Sequence, residues 1–183
     1  MIHYFNPGHE AAILNNSPYH QPPANQVKMQ HDLAYLPAWY AAPGDYVLVD
    51  ELPDKDFLGS LPANMLAKAI TPTALQDITE PVEVSLWGIS PQAIHQFNRY
   101  KIDYKLDNLI VPAWREEFRE LSSRHSAREC LASLIDNTAG LDHHILPIYY
   151  DNWEAIEAHL QQSKSLQLLK SPYSSSGRGL VWL

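Results

Sequence analysis

Apolar positions along the chain switch between short β-rich runs and helix-spaced stripes. Ile2 and Tyr4, followed by Asn6-Pro7-Gly8, read as an opening strand stopped by turn chemistry, because proline lacks the ladder donor and glycine accepts positive φ. Asn15 to Asn25 is a loop rich in Asn, Pro and Ser, and Gln26 to Trp39 carries Val27, Leu33 and Leu36 in a pattern that predicts a helix, ended or bent at Pro37. Ala42-Pro43-Gly44-Asp45 is a turn, and Tyr46-Val47-Leu48-Val49 is a strand of the buried parallel type. Asp56 to Ile70 reads as a broken helix whose second piece starts at Pro62. Val82 to Leu86 alternates as a strand and runs into Trp87-Gly88-Ile89-Ser90-Pro91, with Ser90 as N-cap and Pro91 as first residue of a helix through Phe97. This alternation predicts a doubly wound α/β layer, mainly parallel, with a ligand crevice at the carboxyl ends of its strands.

From about Val111 the pattern changes, and Pro112 marks a linker into a second unit. Ala127, Leu131, Leu134 and Ile135 lie on one helical face, with Ser126 and Glu129 as a capping box. Ile145 to Ile148 reads as extended; Asp151 with Glu154 caps a further helix whose stripe is Trp153, Ile156 and Leu160. Leu166 to Leu169 predicts a strand, Ser171 to Gly177 a turn, and Leu180 to Leu183 a return strand. So short a connection permits an antiparallel hairpin and no crossover. Two domains are expected, residues 1–111 and 112–183.

Composition narrows the classes. With 183 residues, 45% hydrophobic and 19% charged, the chain has the mix of a folded protein. A net charge of -8 opposes a nucleic-acid footprint, although a few backbone N–H groups can still hold a small anion. Cys130 is the only cysteine, so no intrachain disulfide can form and a cytoplasmic setting is expected. No apolar run is long enough to span a membrane, and none resembles a targeting segment. The nine histidines are scattered, and the adjacent pair His143-His144 would point to opposite faces of a strand, so no metal site is expected.

The chemistry concentrates in KSPYSSSGRGLVWL, Lys170 to Leu183. A lysine ending a strand, then small flexible residues, then a return strand builds a hairpin whose tip can fold over phosphates. Ser174, Ser175, Ser176, Gly177 and Gly179 allow close approach to anionic oxygens, while Lys170 and Arg178 supply charge. A P-loop is excluded because the lysine precedes the glycines, and a G-x-G-x-x-G turn because no helix follows. At the carboxyl ends of the predicted strands, Asn6, His9, Glu10 and Ser90 are candidate substrate contacts, against the alternative that they are ordinary turn and capping residues.

The lysine strand with its Ser/Gly hairpin, preceded by SRHSARECL and DNWEAIEAHL in that order, resembles the first nucleotide-binding lobe of the ATP-grasp family. The resemblance implies a Rossmann-like pre-ATP-grasp domain in front, followed by a partial α+β ATP-grasp lobe. It implies that Arg124, near the start of the earlier helix, joins Lys170 on the nucleotide phosphates. It further implies ATP as a ligand and a small-molecule carboxylate as substrate, phosphorylated to an acylphosphate that an amine or thiol attacks. Mg2+ would be held by a second lobe lying after Leu183, so that this chain would be a fragment inactive alone. The alternatives are a non-catalytic nucleotide-binding module and a Rossmann-like interaction domain with an incidental hairpin.

Overall fold

The computed structural model describes residues 1–62, 67–173 and 179–183. The chain forms two compact units, Met1–Trp114 and Arg115–Leu183. The first is α/β. Its strands are β1 (Ile2–Tyr4), β2 (Tyr46–Leu48), β3 (Lys68–Ile70), β4 (Val82–Leu86) and β5 (Leu109–Ile110), and its helices are α1 (His9–Asn15), α2 (Ala24–Asp32), α3 (Lys55–Ser60) and α4 (Pro91–Asp103). All strand pairings are parallel, in the order β3-β2-β1-β4-β5. The winding therefore reverses between β1 and β4, whose registers match Ile2 to Val84 and Tyr4 to Leu86.

Alternation along each strand sorts the core into two clusters. Ile2, Tyr4, Leu48, Ile70 and Val84 pack with Phe97 of α4 and with Leu106 and Leu109. Val47 and Val49 pack instead with Ala38 and Ala67. Helix α4 starts as local chemistry dictates: Ser90 Oγ accepts from the Ala93 N–H at 3.2 Å and Pro91 opens the first turn, where no donor is needed. It continues past Phe97 to Asp103.

The segments between the strands depart from expectation in two places. The stretch from Gln26 to Trp39 is not one helix: α2 starts earlier and stops at Asp32, and a separate 3-10 turn spans Leu36–Trp39, with Pro37 in its opening positions. Between Asp56 and Ile70 the described residues hold the short α3 and then β3, because pairing of Lys68, Ala69 and Ile70 with Tyr46, Val47 and Leu48 outweighs their local preference; the helical piece expected to start at Pro62 falls on residues 63–66, outside the described residues.

The second unit contains α5 (Glu117–Leu121), α6 (Arg124–Asn137), a 3-10 turn at His143–Ile145, α7 (Trp153–Gln162), and the antiparallel strands β6 (Leu168–Lys170) and β7 (Leu180–Trp182). Ile145 thus belongs to a helical turn, and only the residues after it are extended. Both helix starts lie off the expected caps. Ser123 caps α6, its Oγ accepting from Ser126 N–H at 3.1 Å, and Asn152 caps α7, accepting from Ala155 N–H at 2.8 Å. Of the α6 stripe only Ile135 is buried. Among the described residues no helix is long and apolar enough to cross a membrane.

Two stability predictions follow from the first unit. Phe97 is fully enclosed, so Phe97→Ala should cost about 3–5 kcal/mol in urea unfolding; a loss below about 1 kcal/mol would remove it from the core. Asp45, in the turn before β2, contacts the N-terminal amine at 2.8 Å, His3 Nε2 at 3.0 Å and the Ala42 N–H at 3.0 Å. Burial opposes its ionisation, yet these partners outweigh burial and lower its pKa to about 2. Because the folded value lies below the unfolded one, the stabilisation is present above about pH 4 and is lost as pH falls through the folded value. Asp45→Asn should therefore cost about 1–2 kcal/mol at pH 7, and the gap to the parent should close towards pH 2 in a pH series of unfolding curves.

Candidate functional site

Lys170 ends β6 directly opposite Leu180, and its side chain is exposed with no ion-pair partner among the described residues. Beyond the strands, Ser171 N–H donates to the Gly179 carbonyl at 2.8 Å, closing the base of the loop. Gly179 has φ +66°, a left-handed conformation that a side chain would disfavour. Ser174, Ser175, Ser176, Gly177 and Arg178 lie outside the described residues.

The start of α6 is tied to this hairpin mouth. The backbone N–H of Arg124 donates to Pro172 O at 2.9 Å, and its Nε donates to Ser171 O at 3.1 Å. Two basic residues far apart in sequence thereby meet at one strand exit, Lys170 as the last residue of β6 and Arg124 hydrogen-bonded to the residue that follows it.

At the reversal of strand order a second arrangement forms. Asn6 is buried, its Nδ2 donates to Gly88 O at 2.7 Å, and its Oδ1 accepts from Gly88 N–H at 3.0 Å. The amide straps the exit of β1 to the exit of β4. Ser90 is fully enclosed as the cap of α4. Asn6 and Ser90 therefore build the crevice, and their polar atoms are already engaged within it.

His9 and Glu10 are the partly exposed members of the set. The His9 ring rests on Gly88, where a Cβ would stand only 2.0 Å from His9 Cγ. His9 Nδ1 lies 3.2 Å from the Asn6 carbonyl. A carbonyl only accepts, so this contact is a hydrogen bond in the tautomer with the proton on Nδ1, which leaves Nε2 as the acceptor of the neutral ring. Glu10 lies in the first turn of α1, where the helix dipole favours its charge. Trp87 is half-exposed at the same strand end, edge-to-face with Phe5 at 5.2 Å. The seat of His9 on Gly88 joins two different strand exits, so no spacing within one segment of the sequence points to it.

Among the described residues no group of three or more His, Cys, Asp or Glu could hold a metal ion. Comparison with known proteins gives no match to a family model, to a characterised protein or to a solved structure.

The seat of His9 is testable. Gly88→Ala must displace the ring, and 15N NMR should show the Nδ1-protonated tautomer giving way to a mixture; an unchanged imidazole spectrum would contradict the geometry. Asn6→Ala leaves the buried Gly88 N–H and carbonyl unpaired and should cost about 1–3 kcal/mol in unfolding.

Proposed function

We propose that the hairpin mouth of the second unit binds the phosphates of ATP, and that this chain is the N-terminal part of an ATP-grasp-type ligase. The observation that carries this reading is the bond from Arg124 Nε to Ser171 O, which sets an arginine beside Lys170 at the exit of β6. Arg124 and Lys170 are the residues that the family resemblance assigns to phosphate contact. In this reading Lys170 contributes a point charge, Arg124 a planar donor fork, and the loop closed by Ser171 and Gly179 its small residues. Such groups stabilise the charge that develops on a transferring phosphoryl group, which is electrostatic catalysis more than covalent chemistry.

The parallel sheet of the first unit then plays the part of the pre-ATP-grasp domain. Within that unit, His9 and Glu10 on the rim of the β1 and β4 exits are the candidate substrate contacts. Mg2+ would enter with ATP and take its protein ligands from a second lobe.

Calorimetric titration of ATP at one fixed Mg2+ concentration tests the reading. Lys170→Ala and Arg124→Ala should each remove a charge-assisted contact worth about 1.5–3 kcal/mol, weakening binding roughly ten- to a hundred-fold. Gly177→Val should also weaken it, while Ser163→Ala before β6 should leave it unchanged. Folded Lys170→Ala and Arg124→Ala variants that bind ATP like the parent would overturn the assignment, as would a parent that binds none.

A further inference from the structure

Beside α4 lies a cavity of about 400 Å3, within the size range of small-molecule sites. One wall is the loop carrying Tyr19 and His20; the other is a stripe of α4 that includes Gln92, His95, Arg99 and Tyr100. These helix positions recur at three- and four-residue spacing, so they share one face. The neighbouring face, through Ala93 and Phe97, fills the core.

The hydrogen bonds beneath the cavity run in one direction. Gln30 Nε2 donates to the Tyr4 hydroxyl oxygen at 2.6 Å, Tyr4 O–H donates to Gln96 Oε1 at 3.1 Å, and Gln96 Nε2 donates to the Tyr100 hydroxyl oxygen at 2.7 Å. Tyr100 ends the series with its own proton, for which no acceptor exists among the described residues. Burial raises the phenol pKa values of Tyr4 and Tyr100 above the ordinary range, so both remain donors. On the facing loop, His20 Nε2 is enclosed without a hydrogen-bond partner, a costly condition unless something in the cavity meets it. The Gln92 amide, partly exposed, also has no partner among the described residues.

Charge selects among the ligands that could meet these groups. Arg99 Nη2 stands 3.4 Å from Asp103 Oδ2, so the lining's one cation and one carboxylate face each other. A phosphate or carboxylate would find no uncompensated cation, and an apolar ligand would leave the donors and acceptors unmet. A hydroxyl both donates and accepts, which suits a lining that mixes the two. Tyr19, largely exposed and edge-to-face with His95 at 5.0 Å, offers a ring for C–H contacts.

We propose that this cavity binds a small uncharged polyhydroxyl ligand of the sugar class, held by the Tyr100 hydroxyl, the Gln92 amide and His20 Nε2, with Tyr19 as its aromatic wall. The site belongs wholly to the first unit and does not rest on the nucleotide reading.

Saturation-transfer NMR of the intact chain with D-glucose, D-galactose, D-mannose and maltose, and with acetate and choline as charged controls, tests it. At least one sugar should bind saturably, and Tyr100→Phe and Gln92→Ala should each weaken it roughly three- to tenfold, the loss of one neutral hydrogen bond. Near-UV circular dichroism checks that Tyr100→Phe keeps its packing; Gln92→Ala, on the partly exposed face of α4, tests the site even if Tyr100→Phe does not fold. The proposal fails if none of the sugars binds saturably, if acetate or choline binds in preference, or if folded variants bind the sugar as the parent does.

Discussion

The paired hydrogen bonds between the Asn6 side chain and the Gly88 backbone are the constraint on which the first unit turns. In an all-parallel sheet every carboxyl end lies on one side, and where the winding reverses the connections leave in opposite directions, so no crossover fills the gap between the two central exits. Here β1 and β4 are those exits, and one amide satisfies both backbone groups of the glycine between β4 and α4. The rest is set in sequence. Gly88 has no Cβ, so the His9 ring can lie against it; Ser90 two residues on caps α4; α4 then delivers Phe97 into the core.

Helix α4 presents a core face and a polar stripe, and Tyr4 joins them. Its ring packs edge-to-face on Phe97 at 5.2 Å, while its hydroxyl leaves the apolar cluster to meet Gln30 and Gln96. A buried phenol needs such partners, since an unpaired hydroxyl there would cost free energy comparable to a lost core contact. The polar stripe of α4 is therefore continuous with the core: core packing places the Tyr4 ring, and its hydroxyl places Gln96 and, through it, the Tyr100 hydroxyl.

What was legible in the sequence is what local chemistry determines. The Ser90-Pro91 start of α4, the strands at Ile2, Tyr46 and Val82, and the hairpin from Lys170 follow from caps, turns and alternation within a few residues. β3 was hidden because Lys68, Ala69 and Ile70 hold no strong strand signal and become a strand only against β2. The caps of α6 and α7 fell on Ser123 and Asn152 because Ser and Asn compete as caps with every neighbouring Ser or Asp, and the fold decides between them. At the sites the same division holds. Arg124, Lys170, Asn6 and His9 were nameable, but the strap, the histidine seat and the Gln30 to Tyr100 series link residues across the fold, and spacing along one segment carries no trace of them.

The hairpin mouth shows how an acidic chain can still present positive charge. With a net charge of -8, long-range attraction of an anion is weak or unfavourable, so any affinity must come from short-range contacts at fixed positions. The Ser171 carbonyl accepts from the Arg124 Nε and so holds the guanidinium at the β6 exit. The same stretch of backbone accepts the Arg124 N–H at Pro172, so the α6 start and the β6 exit cannot separate without losing both bonds. Lys170 needs no such fixing, because its strand register against Leu180 already places its Cα. Charge is thus localised by backbone geometry, which survives a hostile overall field in a way that a diffuse basic surface would not.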